Sequence, residues 1–145
     1  MSQNGQSPER DEQEFWAEPE QDAIDAEELD YQPGIFKVAE LPSFAPAPGI
    51  LMSVMSGLNV MANWVRIEPN AGVPLHAHPH EQLGLVLEGA ITMHIADQTR
   101  TLTPGHCYAI PGNLPHSAVA GPAGCLVVDI FSPVREDYVA AAMPG

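Results

Sequence analysis

The sequence is poor in basic residues, and it contains no long apolar run. Only five of its 145 residues are Lys or Arg. Binding to a phosphate backbone requires a basic surface, so we expect no nucleic-acid partner. No stretch approaches the run of about twenty apolar residues that a membrane helix needs, which predicts no membrane association. The first ten residues are polar and lack the apolar segment of a secretory signal, which predicts a cytoplasmic protein.

Cysteine is also scarce. Cys107 and Cys125 are the two cysteines of the chain, and both lie in apolar, strand-like runs. Two cysteines are too few for a disulfide scaffold, so we predict reduced, buried thiols, as is usual in the cytosol. No Cys-x-x-Cys pair or second Cys/His cluster indicates a zinc ribbon.

The negative charge is concentrated at one end of the chain. The net charge is −14, and residues 1–31 contribute eleven acidic side chains and one Arg. Acidic segments with few core-forming side chains stay solvated, so we predict a disordered tail over 1–31 and one folded domain over 32–145. Phe15 and Trp16 leave an alternative open, in which the tail docks on a partner or on a second subunit.

The folded part alternates short apolar runs with Pro, Gly and Asn. Many short strands at about ten-residue spacing are typical of an all-β sandwich or barrel. Only Val134–Ala142 is predicted to be helical. The predicted strands are Ile35–Leu41, Ile50–Ser56, Asn59–Glu68, Gln82–Glu88, Ala90–Ile95, Thr99–Leu102, Cys107–Ile110, Ser117–Ala120 and Cys125–Phe131.

The densest chemistry lies between His76 and Gln82. Alternate residues of a strand share one face, so His76 and His78 are placed to share a metal ion. Gln82, where the next strand begins, can add a third ligand, and His116, which follows a Pro-Gly-Asn turn, a fourth. We therefore predict about one divalent ion per chain. Ni, Zn, Fe, Mn and Co all suit such neutral ligands, and its identity stays open.

The two segments resemble the paired motifs of the cupin family. The positions of the first motif are held here by Asn70, His76, His78, Gln82 and Gly89. The positions of the second motif are held by Gly105, Pro111, Asn113, His116 and Ala120. Asn stands for Gly at positions 70 and 113, a mild change because Asn tolerates a left-handed backbone. The resemblance covers roughly residues 50–131. It implies a single jelly-roll (double-stranded β-helix) barrel with His76, His78, Gln82 and His116 as metal ligands.

Gln82 departs from the usual cupin pattern, which has Glu at this position. A neutral ligand set leaves the full charge on the metal, which favours an anionic ligand and stabilisation of a developing enolate. This change indicates isomerase, hydratase or lyase chemistry rather than a dioxygenase. The alternative is that Gln82 does not reach the metal and that water takes its place.

A second cluster lies near the C-terminus. Asp129 and Phe131 share one face of a strand, and Arg135 follows four residues later. A buried carboxylate is costly unless it has a role or a partner, and a structural Asp129–Arg135 pair is one explanation. The set is similar to the KdgF-type cupins of pectin and alginate breakdown, which open the ring of unsaturated uronates. That resemblance implies Asp129 as acid/base, Arg135 as anchor of the substrate carboxylate and Phe131 as a pocket residue.

These observations predict a metal-dependent enzyme that acts on a small, anionic, carbohydrate-derived acid. Two alternatives stay open, a cupin dioxygenase and a non-catalytic ligand-binding or accessory barrel. We also expect a homodimer that pairs through the weakly charged edge Ile35–Leu41.

Overall fold

The computed structural model describes residues 15–16, 23–29 and 33–144. It divides the chain into two compact units, Met1–Gly34 and Ile35–Gly145. In the first unit the described residues contain a 3-10 turn, Ala26–Glu28, where the Asp25 side chain accepts a hydrogen bond from the backbone of Glu27. The predicted disordered tail lies largely outside the described residues. No helix in the described part of the chain is long and apolar enough to cross a membrane.

The second unit is built of eight antiparallel strands and one short helix. The helix α1 begins two residues after the predicted start. The elements are β1 (Ser43–Ala47), β2 (Ile50–Ser56), β3 (Met61–Ile67), β4 (Gly72–His76), β5 (Glu81–Ile95), β6 (Gln98–Leu102), β7 (Cys107–Ile110), β8 (His116–Ser132) and α1 (Glu136–Ala142). This architecture confirms the prediction of an all-β barrel.

Two long strands, β5 and β8, run through both halves of the barrel. The first half of β5 pairs with the second half of β8, beside β3 and β7. The second half of β5 pairs with the first half of β8, beside β4 and β6. The register shifts next to Gly89, whose φ is 72°, and an added Cβ there would collide with the backbone of Gly124. Because this bend stays within the strand, the separate strands predicted before and after Gly89 are one element.

The predicted strand Ile35–Leu41 is wrong. Val38–Glu40 forms a 3-10 turn, and Ile35 is fully exposed. The strand that lies at this edge of the sheet is β1, which contains Pro46 and pairs with β2 alone. Proline has no backbone N–H to donate to a neighbouring strand, and it is tolerated in an edge strand. A sequence rule that excludes proline from strands therefore misses β1. The side chain of Phe44 in β1 packs against the core.

The inward faces of the strands form an apolar core around one end of a cavity. The most buried apolar side chains are Met61, Val65, Ile67, Ile91, Ile110, Ala120, Val127 and Phe131. Both cysteines are free thiols. Cys125 is buried as predicted, whereas Cys107 is exposed because its side chain alternates outward on β7.

Candidate metal centre and active site

Three histidines converge at one end of the barrel. His76 ends β4 and lies opposite His116, the first residue of β8. His78 lies beyond β4, so the connection to β5, and not strand alternation as predicted, brings its ring to the group. One ligand nitrogen from each ring lies within 4.8 Å of the others. This group is suited to hold a metal ion.

A tight contact between two loops holds the group together. The backbone N–H of Asn113 donates to the carbonyl of His78 over 2.7 Å. An added Cβ at Gly112 would overlap the carbonyl oxygen of Pro79, so the turn before His116 lies directly against the loop of His78. Asn113 has a φ of 66° and Asn70 a φ of 63°, as expected for Asn at motif positions that are usually Gly.

Each imidazole is oriented by a backbone carbonyl two residues away. The Nδ1 atoms of His76, His78 and His116 lie 2.7, 3.1 and 2.8 Å from the carbonyl oxygens of Pro74, His80 and Leu114. Because a carbonyl can only accept, each Nδ1 donates and each Nε2 keeps its lone pair. The Nε2 of His116 is buried without a hydrogen-bond partner in the described structure. Three imidazoles with free nitrogen lone pairs and with ligand atoms within 4.8 Å of one another have the chemistry that a metal ion satisfies.

Gln82 completes this group. Its side chain is buried, and Oε1 lies 3.1 Å from Nε2 of His78. Two acceptors this close need a cation or a proton between them, or a turned amide. A short separation of this kind is also expected when both atoms would be ligands of the same metal ion, so the pair fits a shared metal.

Two of the histidines, His78 and His116, are held in the neutral form that binds metals. Burial, together with the positive charge of Arg135, lowers the pKa of His78 to about 4. Burial also lowers the pKa of His116. Metal binding requires the neutral imidazole, so neither side chain has to lose a proton at neutral pH.

Asp129 lines the same cavity as His76, His116 and Gln82. The carboxyl group is buried, and its Oδ1 accepts a hydrogen bond from the hydroxyl of Tyr108 over 2.6 Å. Burial raises the pKa of Asp129, while hydrogen bonds from Tyr108 and Gln82 oppose that rise. A buried carboxyl group with a raised pKa in a cavity is suited to proton exchange.

Arg135 also lines the cavity, but its salt bridge is not with Asp129. Its Nη2 lies 2.8 Å from Oδ2 of Asp137, and its guanidinium lies 3.7 Å from the ring centroid of Tyr138. The structural Asp129–Arg135 pair considered from the sequence is therefore not what holds this arginine. Nη1 is buried without a hydrogen-bond partner in the described structure. A buried, unpaired guanidinium nitrogen fits the carboxylate of a small anion.

Phe131 lies between the histidine group and Arg135. Its ring contacts the ring of His78 edge-on, with centroids 5.5 Å apart, and the guanidinium of Arg135 lies 5.3 Å from its centroid. The structure thus brings together all seven residues that the sequence singled out. They are His76, His78, Gln82, His116, Asp129, Phe131 and Arg135.

Sequence reasoning missed Tyr108 and Asp137. Asp137 follows Arg135 by two residues, and this short spacing could have indicated an ion pair. Tyr108 lies 21 residues from Asp129, and no motif links the two positions. Only the strand register places them together.

Residues 63–131 match the family described as the Cupin domain. The KdgF structure from Halomonas sp. superimposes with a TM-score of 0.68 and 31% identity, covering 73% of this chain and 98% of that protein. This chain belongs to the cupin family. Within this cupin, 69 residues are 33% identical to the pectin degradation protein KdgF of Dickeya dadantii, covering 47% of the cupin and 62% of that relative.

A second curated relative is the H2HPP isomerase of Bacillus subtilis. It is 36% identical over 67 residues, which is 46% of this cupin and 28% of that protein. The match therefore spans less than two thirds of the length of either curated relative.

Proposed function

We propose that this cupin is a metal-dependent enzyme that opens the ring of an unsaturated uronate, or isomerises a related carbohydrate-derived acid, by proton transfer. The observation that carries the proposal is one cavity lined by His76, Gln82, His116, Asp129 and Arg135. Such a cavity joins a metal-binding group, a proton carrier and a carboxylate anchor. The similarity to KdgF proteins and to an isomerase supports the same class of chemistry.

Each of these side chains has a distinct role in the proposal. His76, His78, Gln82 and His116 hold one divalent transition metal ion, whether Ni, Zn, Fe, Mn or Co. When bound, the ion supplies a Lewis acid whose charge no carboxylate ligand reduces. Arg135 binds the substrate carboxylate through its free Nη1, and Phe131 packs against the sugar ring. Asp129 moves the proton.

The reaction balances without an oxidant or a second substrate. In a 4,5-unsaturated uronate the ring oxygen links the hemiacetal carbon C1 to the alkene carbon C5. Loss of the C1 hydroxyl proton breaks the bond from C1 to the ring oxygen and leaves an aldehyde and an enolate. A proton delivered to C4 then turns the enolate into a ketone. The net change is one proton moved from an oxygen to a carbon, which a single buried carboxyl group can mediate.

The test is turnover of unsaturated uronates by the metal-loaded protein. We expect the ultraviolet absorbance of the C4=C5 double bond to disappear and a linear keto acid to form. Oxygen uptake with an unchanged uronate would favour the dioxygenase alternative. Tight uronate binding without turnover would favour the non-catalytic barrel.

We also propose that the protein is a homodimer, and because Ile35–Leu41 does not form the predicted strand, we propose another surface as its interface. The outer face of the sheet carries exposed apolar side chains on β2 and β5. Leu51 in β2 and Leu83, Leu85 and Leu87 in β5 are each more than two fifths exposed. An apolar row of this kind on a soluble surface indicates burial against a partner, and a second copy offers the same face. Leu85→Glu should shift the mass measured by light scattering from dimer to monomer, and a monomeric parent protein would refute the proposal.

A further inference from the structure

Four residues on adjacent strands form one row across the inside of the barrel. Asn63 of β3 lies opposite Asp129 of β8, which lies opposite Gly84 of β5, which lies opposite Tyr108 of β7. Directly opposed residues of neighbouring strands point to the same side of a sheet. Asp129 therefore has a buried amide on one side and, on the other, a position without a side chain.

The ring of Tyr108 fills the space over Gly84. A Cβ added at Gly84 would overlap the Cζ and Oη atoms of Tyr108. Gly84 is buried and has no positive φ, so backbone conformation does not require glycine here. Its function in this row is to leave room for a phenol ring that reaches across one strand to Asp129.

Asp129 thus has Tyr108 and Gln82 as hydrogen-bond partners and leaves a third polar neighbour, Asn63, unused. Its Oδ1 accepts from Tyr108 over 2.6 Å. The side chain of Asn63 is fully buried, and neither its nitrogen nor its oxygen has a hydrogen-bond partner in the described structure. An unpaired buried amide is costly, so Asn63 offers a competing donor to the carboxylate if it turns.

We infer that Tyr108 is a positioning residue that holds the Asp129 carboxylate toward the metal-side cavity, and that Gly84 is what admits its ring. This inference rests on the proposed function, in which Asp129 moves a proton. Tyr108 does not exchange the proton itself in this arrangement. It fixes one carboxylate oxygen and prevents the side chain from turning to Asn63, so that proton transfer begins from a set geometry.

The first measurement is the kinetics of Tyr108→Phe in the metal-loaded protein. The ring stays and the hydroxyl is lost, so we expect kcat to fall roughly 10–100-fold, the range for one hydrogen bond to a charged group. KM and metal content should stay close to those of the parent, because Arg135 and the histidines are untouched. A kcat equal to that of the parent would overturn the inference.

The second measurement is a double-mutant cycle with Gly84→Ala. Its added methyl displaces the ring, so the same hydrogen bond is lost by another route. If both changes act through that bond, Gly84→Ala/Tyr108→Phe should be no slower than the slower single variant. Multiplied losses would contradict the inference. Gly121→Ala is the matched control, since its methyl would meet only Ala90 at 3.3 Å or beyond, and its kcat should match that of the parent. Tyr108→Phe decides the question alone where Gly84→Ala does not fold.

A structural measurement separates this inference from the proposed function. If the metal-loaded parent turns over no uronate, the proposed function fails, but crystal structures of the parent and of Tyr108→Phe still test the positioning. We expect the Asp129 carboxylate of the variant to turn toward the amide of Asn63. An unmoved carboxylate would overturn the inference whatever the activity.

Discussion

The two sides of the cavity are built in different ways. On the histidine side, His76, His78 and His116 are each oriented by a carbonyl two residues away in the chain. On the opposite side, Asp129 is held by Tyr108, which lies 21 residues away and two strands across the sheet. Local segments thus set the histidine group suited to hold a metal, whereas the register of several strands sets the position of Asp129, the proposed proton carrier.

This difference has a consequence for mutation. A change on the histidine side should remove a proposed ligand and leave the barrel in place, because the three rings lie at strand ends and in loops. A change on the Asp129 side can alter geometry without touching the metal. The two sides should therefore be separable by measuring metal content and turnover on the same variants.

The largest effect is expected from His76→Ala combined with His78→Ala. Two of the three converging nitrogens are lost, so metal content should fall from about one ion per chain to none, and activity with it. Elemental analysis of the purified protein measures this. The control is His94→Ala, whose ring instead bonds the hydroxyl of Thr99 over 2.8 Å, and it should retain the metal. Full metal content in the double variant would contradict the assignment.

The next effect is on the other side of the cavity. Asp129→Asn keeps the size of the side chain and an oxygen that accepts from Tyr108, but it cannot carry the proton. Turnover should fall roughly 10²–10⁴-fold, with metal content and melting temperature close to those of the parent. Near-normal turnover would show that Asp129 is not the proton carrier, and an early melting transition would indicate a structural role instead.

A smaller effect is expected at Arg135, the proposed substrate anchor. Arg135→Ala removes the buried Nη1, so KM for a uronate should rise roughly 10–100-fold, as for the loss of one hydrogen bond to a charged group. Arg66→Ala is the matched control, because Arg66 is exposed and pairs with Glu88 over 3.5 Å. An unchanged KM in Arg135→Ala, measured from initial rates, would exclude Arg135 as the anchor.

The histidine side could be predicted from the sequence because its determinants are short-range. The spacing of His76, His78, Gln82 and His116 identified the group, and Asn70 and Asn113 have the left-handed backbone expected of them. Asp129 was identified as a polar residue on an apolar strand. In most of these cases the signal lies within a few residues of the position it describes, whereas His116, 34 residues beyond Gln82, was assigned through its resemblance to the second cupin motif.

What could not be predicted depends on long-range pairing. The contact of Tyr108 with Asp129 requires the alignment of β7, β5 and β8, and the role of Gly84 follows only from that alignment. Gly89 in the sequence indicates a turn between two strands. In the structure the pairing of β5 with β8 continues on both sides of Gly89, because β8 bends together with β5. Ile35–Leu41 has the composition of a strand, yet no neighbouring strand pairs with it in the described structure.

The smallest effect concerns the ion pair that steadies Arg135. The hydrogen bond from Arg135 lowers the pKa of Asp137. The ion pair therefore stabilises the fold above the unfolded-state pKa of about 3.9, and this stabilisation is lost as the pH falls through the lower folded-state pKa. Because Asp137 is mostly exposed, Asp137→Ala should cost less than about 1 kcal/mol at neutral pH. Glu136→Ala is the matched control, since it also removes an acid from the first turn of α1 but leaves the pair. The stability difference between the two variants, followed by thermal melting, should shrink in acid. A difference that instead grew on acidification would show that the carboxylate of Asp137 does not stabilise this side of the cavity.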